Sequence, residues 1–109
     1  MAASQPAPRR VALQSDPLAT ARTLVTRGLA GHPVRIFLFG SRARGDAAPF
    51  SDIDIALLAA APLPPDLLGR LRETLEESTL PVHVDLVDLR LVDPAFRRAV
   101  LADAVEWTV

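Results

Sequence analysis

Gly40-Ser41-Arg42-Ala43-Arg44-Gly45 is followed, with ten residues intervening after Ser41, by Asp52-Ile53-Asp54. Side chains two apart on a strand share a face, about 6.6–7 Å apart along the backbone, so Asp52 and Asp54 converge on one volume while Ile53 points away. Carboxylates this close repel unless solvent, a proton or a cation relieves them. Magnesium suits that place, because it favours oxygen ligands and bridges carboxylates to phosphates. In a two-metal arrangement such ions activate the attacking oxygen and stabilise the leaving group. An isolated Asp-Xaa-Asp is ordinarily only a solvated strand end. Here Gly40-Ser41 closes the preceding strand, where a glycine permits close backbone approach and amides with a hydroxyl can hold phosphate oxygens. Arg42 and Arg44 add cations for a polyphosphate, although surface arginines are more often solvated or paired with carboxylates. The combination suits metal-assisted handling of a nucleoside triphosphate, which makes nucleotidyl transfer the leading reading.

A third carboxylate on the adjacent strand would complete the metal set. Val84-Asp85-Leu86-Val87 offers one inside an apolar stretch. Asp88 lies on the opposite face by strand alternation and stands beside Arg90, which fits a surface pair better; Asp85 is preferred and Asp88 stays the alternative. His83 shares the Asp85 face, where a lone histidine is more often structural. Trp107 is read as packing or partner contact rather than a platform for a base.

These residues need elements to hold them. Asp16-Pro17 is a helix start, and a helix from about Pro17 to Leu29 carries Leu18, Ala21, Leu24, Val25 and Leu29 as one stripe, with Gly31 as terminator. Val34 to Phe39 is apolar on both faces except for Arg35 and reads as a central strand ending at Gly40. Ser41 to Gly45 makes a short helical turn, and Asp52 to Ala59 is a second strand. Pro62, Pro64 and Pro65 stiffen the link to a helix beginning at Asp66, with Leu67, Leu68, Leu71 and Leu75 on one side and an Arg72–Glu76 pair at i,i+4. Pro81 ends it. Val82 to Leu89 is a third strand, Asp93-Pro94 restarts a helix with Phe96, Ala99 and Val100 on its apolar side, and Val105, Trp107 and Val109 close the chain as an extended edge. The order predicts an α/β domain with a small mixed sheet covered by helices.

With 109 residues the chain fits one small domain, read as a flexible tail over residues 1–15 and a single domain over 16–109. Half the residues are hydrophobic and the formal net charge is -1, so charge gives no sign of direct nucleic-acid binding. Cysteine is absent and there are two histidines, which leaves oxygen ligands for any metal. The N-terminal residues lack the apolar run of a signal peptide, and Ile55 to Leu63, interrupted by Pro62, is far shorter than the roughly 20 residues of a membrane helix. A cytoplasmic protein with no membrane association is expected.

On Gly40-Ser41, the ten-residue spacing, Asp52-Ile53-Asp54, the intervening Arg42-Ala43-Arg44-Gly45 and Val84-Asp85-Leu86-Val87, the chain resembles the minimal nucleotidyltransferases of the DNA polymerase β superfamily. The resemblance covers roughly Val34 to Val109 and departs from the family at Ala104-Val105-Glu106-Trp107, where a glycine often precedes the apolar tail. It implies a polymerase β-like fold, magnesium on Asp52 and Asp54, Asp85 as the third acidic residue, and a triphosphate held by Gly40 and Ser41. It also implies an antitoxin that transfers AMP from ATP to a tyrosine of a HEPN-domain ribonuclease toxin. Two readings compete with it. One is a catalytically silent module that neutralises a partner sterically; the other is transfer to an aminoglycoside-type small molecule, which would need a second copy of the chain, a homo-oligomer, to supply the acceptor pocket.

Overall fold

Apolar residues on both faces of Val34–Phe39 and Ile53–Ala59 make these segments the two central strands of a four-stranded mixed sheet. The computed structural model describes residues 16–108. In chain order they form α1 (Pro17–Gly28), β1 (Val34–Phe39), α2 (Ser41–Arg44), β2 (Ile53–Ala59), α3 (Leu67–Glu77), β3 (Val84–Asp88), α4 (Pro94–Asp103) and β4 (Val105–Trp107). The sheet order is β3-β2-β1-β4, with β1 antiparallel to both β2 and β4, and β2 parallel to β3. A parallel pair needs a crossover, and α3 supplies it. The expected α/β class with a small mixed sheet is what forms.

The two-residue period divides the side chains between two cores. Ile36, Leu38, Ile53, Ile55, Leu57, Val84, Leu86 and Trp107 face α1 and α3, meeting Ala21, Val25 and Leu29 from one helix and Leu67, Leu71 and Leu75 from the other. On the reverse face Phe37 and Ala56 pack with Leu89 and Val100, the last from α4. Each fully buried aliphatic side chain contributes about 1.5–3 kcal/mol, and Ile53, Ile55 and Leu57 are all fully buried. The reverse face is covered by one helix only, which leaves its margin open.

Helix ends follow the expected chemistry. The Asp16 carboxylate accepts from the Ala19 amide at 3.1 Å, and the Asp93 carboxylate accepts from the Phe96 amide at 2.9 Å. α1 stops one residue earlier than expected, with Leu29 as its cap, and Gly31 takes a left-handed φ of 84° just beyond. β2 begins at Ile53, not Asp52, and β3 is shorter than the expected Val82 to Leu89. The expected Arg72–Glu76 pair is replaced: Arg72 donates to the Leu86 carbonyl on the edge strand at 3.1 Å, and the i,i+4 ion pair of α3 is Arg70–Asp66 at 2.8 Å. Residues 1–15, read as a flexible tail, and Val109 of the expected edge lie outside the described residues. Among the described residues no helix is long and apolar enough to cross a membrane.

Candidate active site

β1 runs without a gap into Gly40, whose φ of 77° lies in the region that side-chain-bearing residues rarely adopt. Its carbonyl accepts from the amides of Ala43 and Arg44 at 3.1 and 3.2 Å, which winds Ser41–Arg44 into the single turn of α2. The turn closes at Gly45, left-handed at φ 82°, and the Asp46 amide returns to the Ser41 carbonyl at 3.1 Å. A Cβ placed on Gly40 would collide with the Asp54 carboxylate. The glycine of the Gly-Ser pair therefore makes room for a carboxylate of the Asp-Xaa-Asp pair, a link that the spacing alone does not reveal.

Strand register gathers the acids. Phe39 lies opposite Asp54, and Asp54 lies opposite Asp85, so one row crosses the reverse face at its open margin, one step beyond the apolar row of Phe37, Ala56 and Val87. Asp52 stands just before β2 and is exposed; Asp54 is half-buried and Asp85 exposed. Burial pushes the Asp54 carboxyl above its ordinary range, the charges of Asp85 and Asp52 push it further, and His83 and Arg44 oppose them. Asp88 lies on the other face and accepts from the Arg90 amide at 2.9 Å, so its partner is the Arg90 backbone rather than the expected charged pair. Asp85 is thus the acid of β3 that shares the face of Asp54.

The expected cationic residues separate. The Arg42 guanidinium lies on the loop before β2, donating to the Ser51 carbonyl from Nη2 at 2.8 Å and from Nε at 3.2 Å. Arg44 is half exposed, makes only a 3.5 Å contact with Asp46, and is near enough to Asp54 to counter its upward shift. His83 gives its carbonyl to the Ile53 amide at 2.9 Å, while its ring is felt by Asp54. Trp107 is buried in the larger core, as packing. A cavity of about 200 Å³ lies between α3 and the start of β3, lined by Leu75, Glu76, Leu80, Val82, His83 and Val84. Of these, His83 is near enough to Asp54 to act on its charge.

The donor set fits a hard cation. Asp54 feels both Asp85 and Asp52, and burial together with their charges disfavours its anion, which is a condition a divalent ion relieves. Among the described residues, no three acids or histidines stand close enough to cage an ion by themselves. Magnesium is commonly held by one or two carboxylates plus substrate phosphates and water.

Comparison with known proteins gives a consistent result. The pattern of the family described as polymerase beta, nucleotidyltransferase matches residues 29–106. A Haemophilus influenzae protein named probable protein adenylyltransferase MntA is 34% identical over 88 residues, covering 81% of this chain and 75% of that protein. The crystal structure of a toxin–antitoxin with AMP-PNP superposes with a TM-score of 0.64 at 33% identity, covering 81% of this chain and 73% of the other. That of a tri-AMPylated Shewanella oneidensis HEPN toxin in complex with MNT antitoxin gives 0.61 at 30% identity, covering 88% and 73%.

Proposed function

The chain belongs to the polymerase beta nucleotidyltransferase family, and from that premise we propose that it transfers AMP from ATP to a tyrosine of a partner HEPN ribonuclease toxin, as its antitoxin in the cytoplasm. The observation that carries the reading is the row of Asp54 and Asp85, with Asp52 near enough to act on Asp54, beside the Gly40-Ser41 turn at the end of β1. The similarity to a protein adenylyltransferase and to an antitoxin bound to an AMPylated HEPN toxin supports the choice of acceptor.

Asp52, Asp54 and Asp85 would hold magnesium, as two ions. When bound, magnesium offsets the charge of the triphosphate and of the departing pyrophosphate. The Gly40-Ser41 turn offers amides and a hydroxyl to phosphate oxygens, and Arg44 brings a cation that no close ion pair restrains. Asp85, exposed and next to Asp54, orients the acceptor hydroxyl and takes its proton. The phenolic oxygen forms a bond to the α-phosphorus as the bond to the β-phosphate bridging oxygen breaks, and pyrophosphate leaves.

The test is label transfer from α-labelled ATP with magnesium to the purified partner, with wild type and Asp54→Asn side by side. Label should appear on a partner tyrosine and fall about 100-fold or more with the variant. Full transfer by Asp54→Asn would overturn the metal-site assignment. A stable complex with no label from wild type would instead favour steric neutralisation.

A further inference from the structure

Asp52 lies outside β2, and two backbone contacts flank it. After it, the Ile53 amide donates to the His83 carbonyl at 2.9 Å, the bond that starts the β2–β3 ladder. Before it, the Ser51 carbonyl, part of the same peptide plane as the Asp52 amide, accepts from Arg42 Nη2 at 2.8 Å and Nε at 3.2 Å. Nη2 also reaches the Pro49 carbonyl at 3.5 Å. Arg42 belongs to α2, which continues directly from β1 through Gly40. One side chain therefore ties the strand end bearing the Gly-Ser turn to the peptide from which Asp52 hangs. A guanidinium can do this because its donors are fixed in a planar fork; an ammonium has neither that reach nor that geometry.

We propose that Arg42 is a positioning residue that fixes the Ser51–Asp52 peptide, and so the direction of the Asp52 carboxylate, and that it is not a ligand of the triphosphate. The inference rests on the reading of Asp52 as part of a nucleotidyl-transfer site. It assigns the two arginines of the Arg-Ala-Arg sequence different work: Arg42 holds the loop and Arg44 is left to face the substrate. Arg42 lies outside both apolar cores, so its replacement leaves the packing of the sheet in place.

The experiment compares wild type, Arg42→Lys and Arg42→Gln by amide hydrogen exchange and by the kinetics of AMP transfer. Exchange should rise about tenfold or more at the Asp46 and Ser51 amides, which bond within this loop to Ser41 and Ala48, while α1 and β1 keep wild-type protection. The kcat should fall about ten- to a hundredfold, with KM for ATP within about twofold. Lysine should behave like glutamine, because it keeps the charge and loses the fork. Three results would overturn the proposal: unchanged exchange in the loop, exchange raised throughout the chain, or a raised KM for ATP in Arg42→Gln that Arg42→Lys restores. If the wild-type chain transfers no AMP, the proposed function fails on its own, and the exchange measurement still decides whether Arg42 fixes the loop.

Discussion

Asp54 is held where an anion is disfavoured. Burial comes first among the causes, then the neighbouring charges of Asp85 and Asp52, and all three act against ionisation in the folded chain. A carboxyl whose folded value lies above its unfolded one favours the fold below the unfolded value and loses that advantage as pH rises through the folded value. At neutral pH the penalty is complete. Asp54→Asn should therefore raise Tm by about 1–3 °C at neutral pH, a small rise because the site is largely open to solvent, and give no rise near pH 3, where both forms are neutral; differential scanning calorimetry at the two pH values checks it. A lowered Tm at neutral pH would mean that Asp54 has a structural role. At this scale the acids were legible in the sequence because Asp52 and Asp54 are close in the chain, and alternation correctly separated Asp85 from Asp88. The collision that forbids a Cβ at Gly40 and the grip of Arg42 on Ser51 were not legible. Both depend on how the irregular segment between α2 and β2 returns, and it has no period to read.

Among the elements, the three-residue β4 is the one that needs explaining, since so short a strand gains little from its own ladder. An arginine holds it on each face. Arg22 stacks over the Trp107 ring at 5.6 Å and donates to the Thr108 carbonyl at 3.3 Å. On the other side Arg35 makes a two-point contact with Glu106 at 2.8 and 3.1 Å while lying over Phe37 at 5.1 Å. The hydrogen bond from Arg35, reinforced by its charge, holds the Glu106 carboxyl below the usual range. That contribution is present above the unfolded value of a glutamate and is lost as pH falls through the lowered folded value. Glu106→Gln should speed amide exchange in β4 several-fold at neutral pH, and the difference from wild type should vanish in acid, as followed by exchange-quenched NMR. Helix starts were readable from Asp16 and Asp93, because a cap is a local bond. The partner of Arg72 was not, because the free carbonyl of an edge strand exists only once α3 has packed beside β3.

Across the whole molecule, stability and chemistry are placed on different sides of one sheet. The larger core lies between the sheet and two helices, whereas the acids occupy the uncovered margin of the reverse face. Leu57→Ala should cost about 2–5 kcal/mol in urea unfolding and leave AMP transfer per folded molecule near wild type. The alternation of strands and helices announced the class of fold, but the strand order did not follow from it, since nothing local tells β4 to pair with β1 at an edge instead of extending past β3. That placement has an optical consequence. Trp107 is the only tryptophan in the chain, it is buried, and it sits in this short edge strand beneath the Arg22 guanidinium. Its ultraviolet emission is therefore a reporter of one event, the docking of the C-terminal strand, built into the unlabelled protein on the face of the sheet opposite the acids.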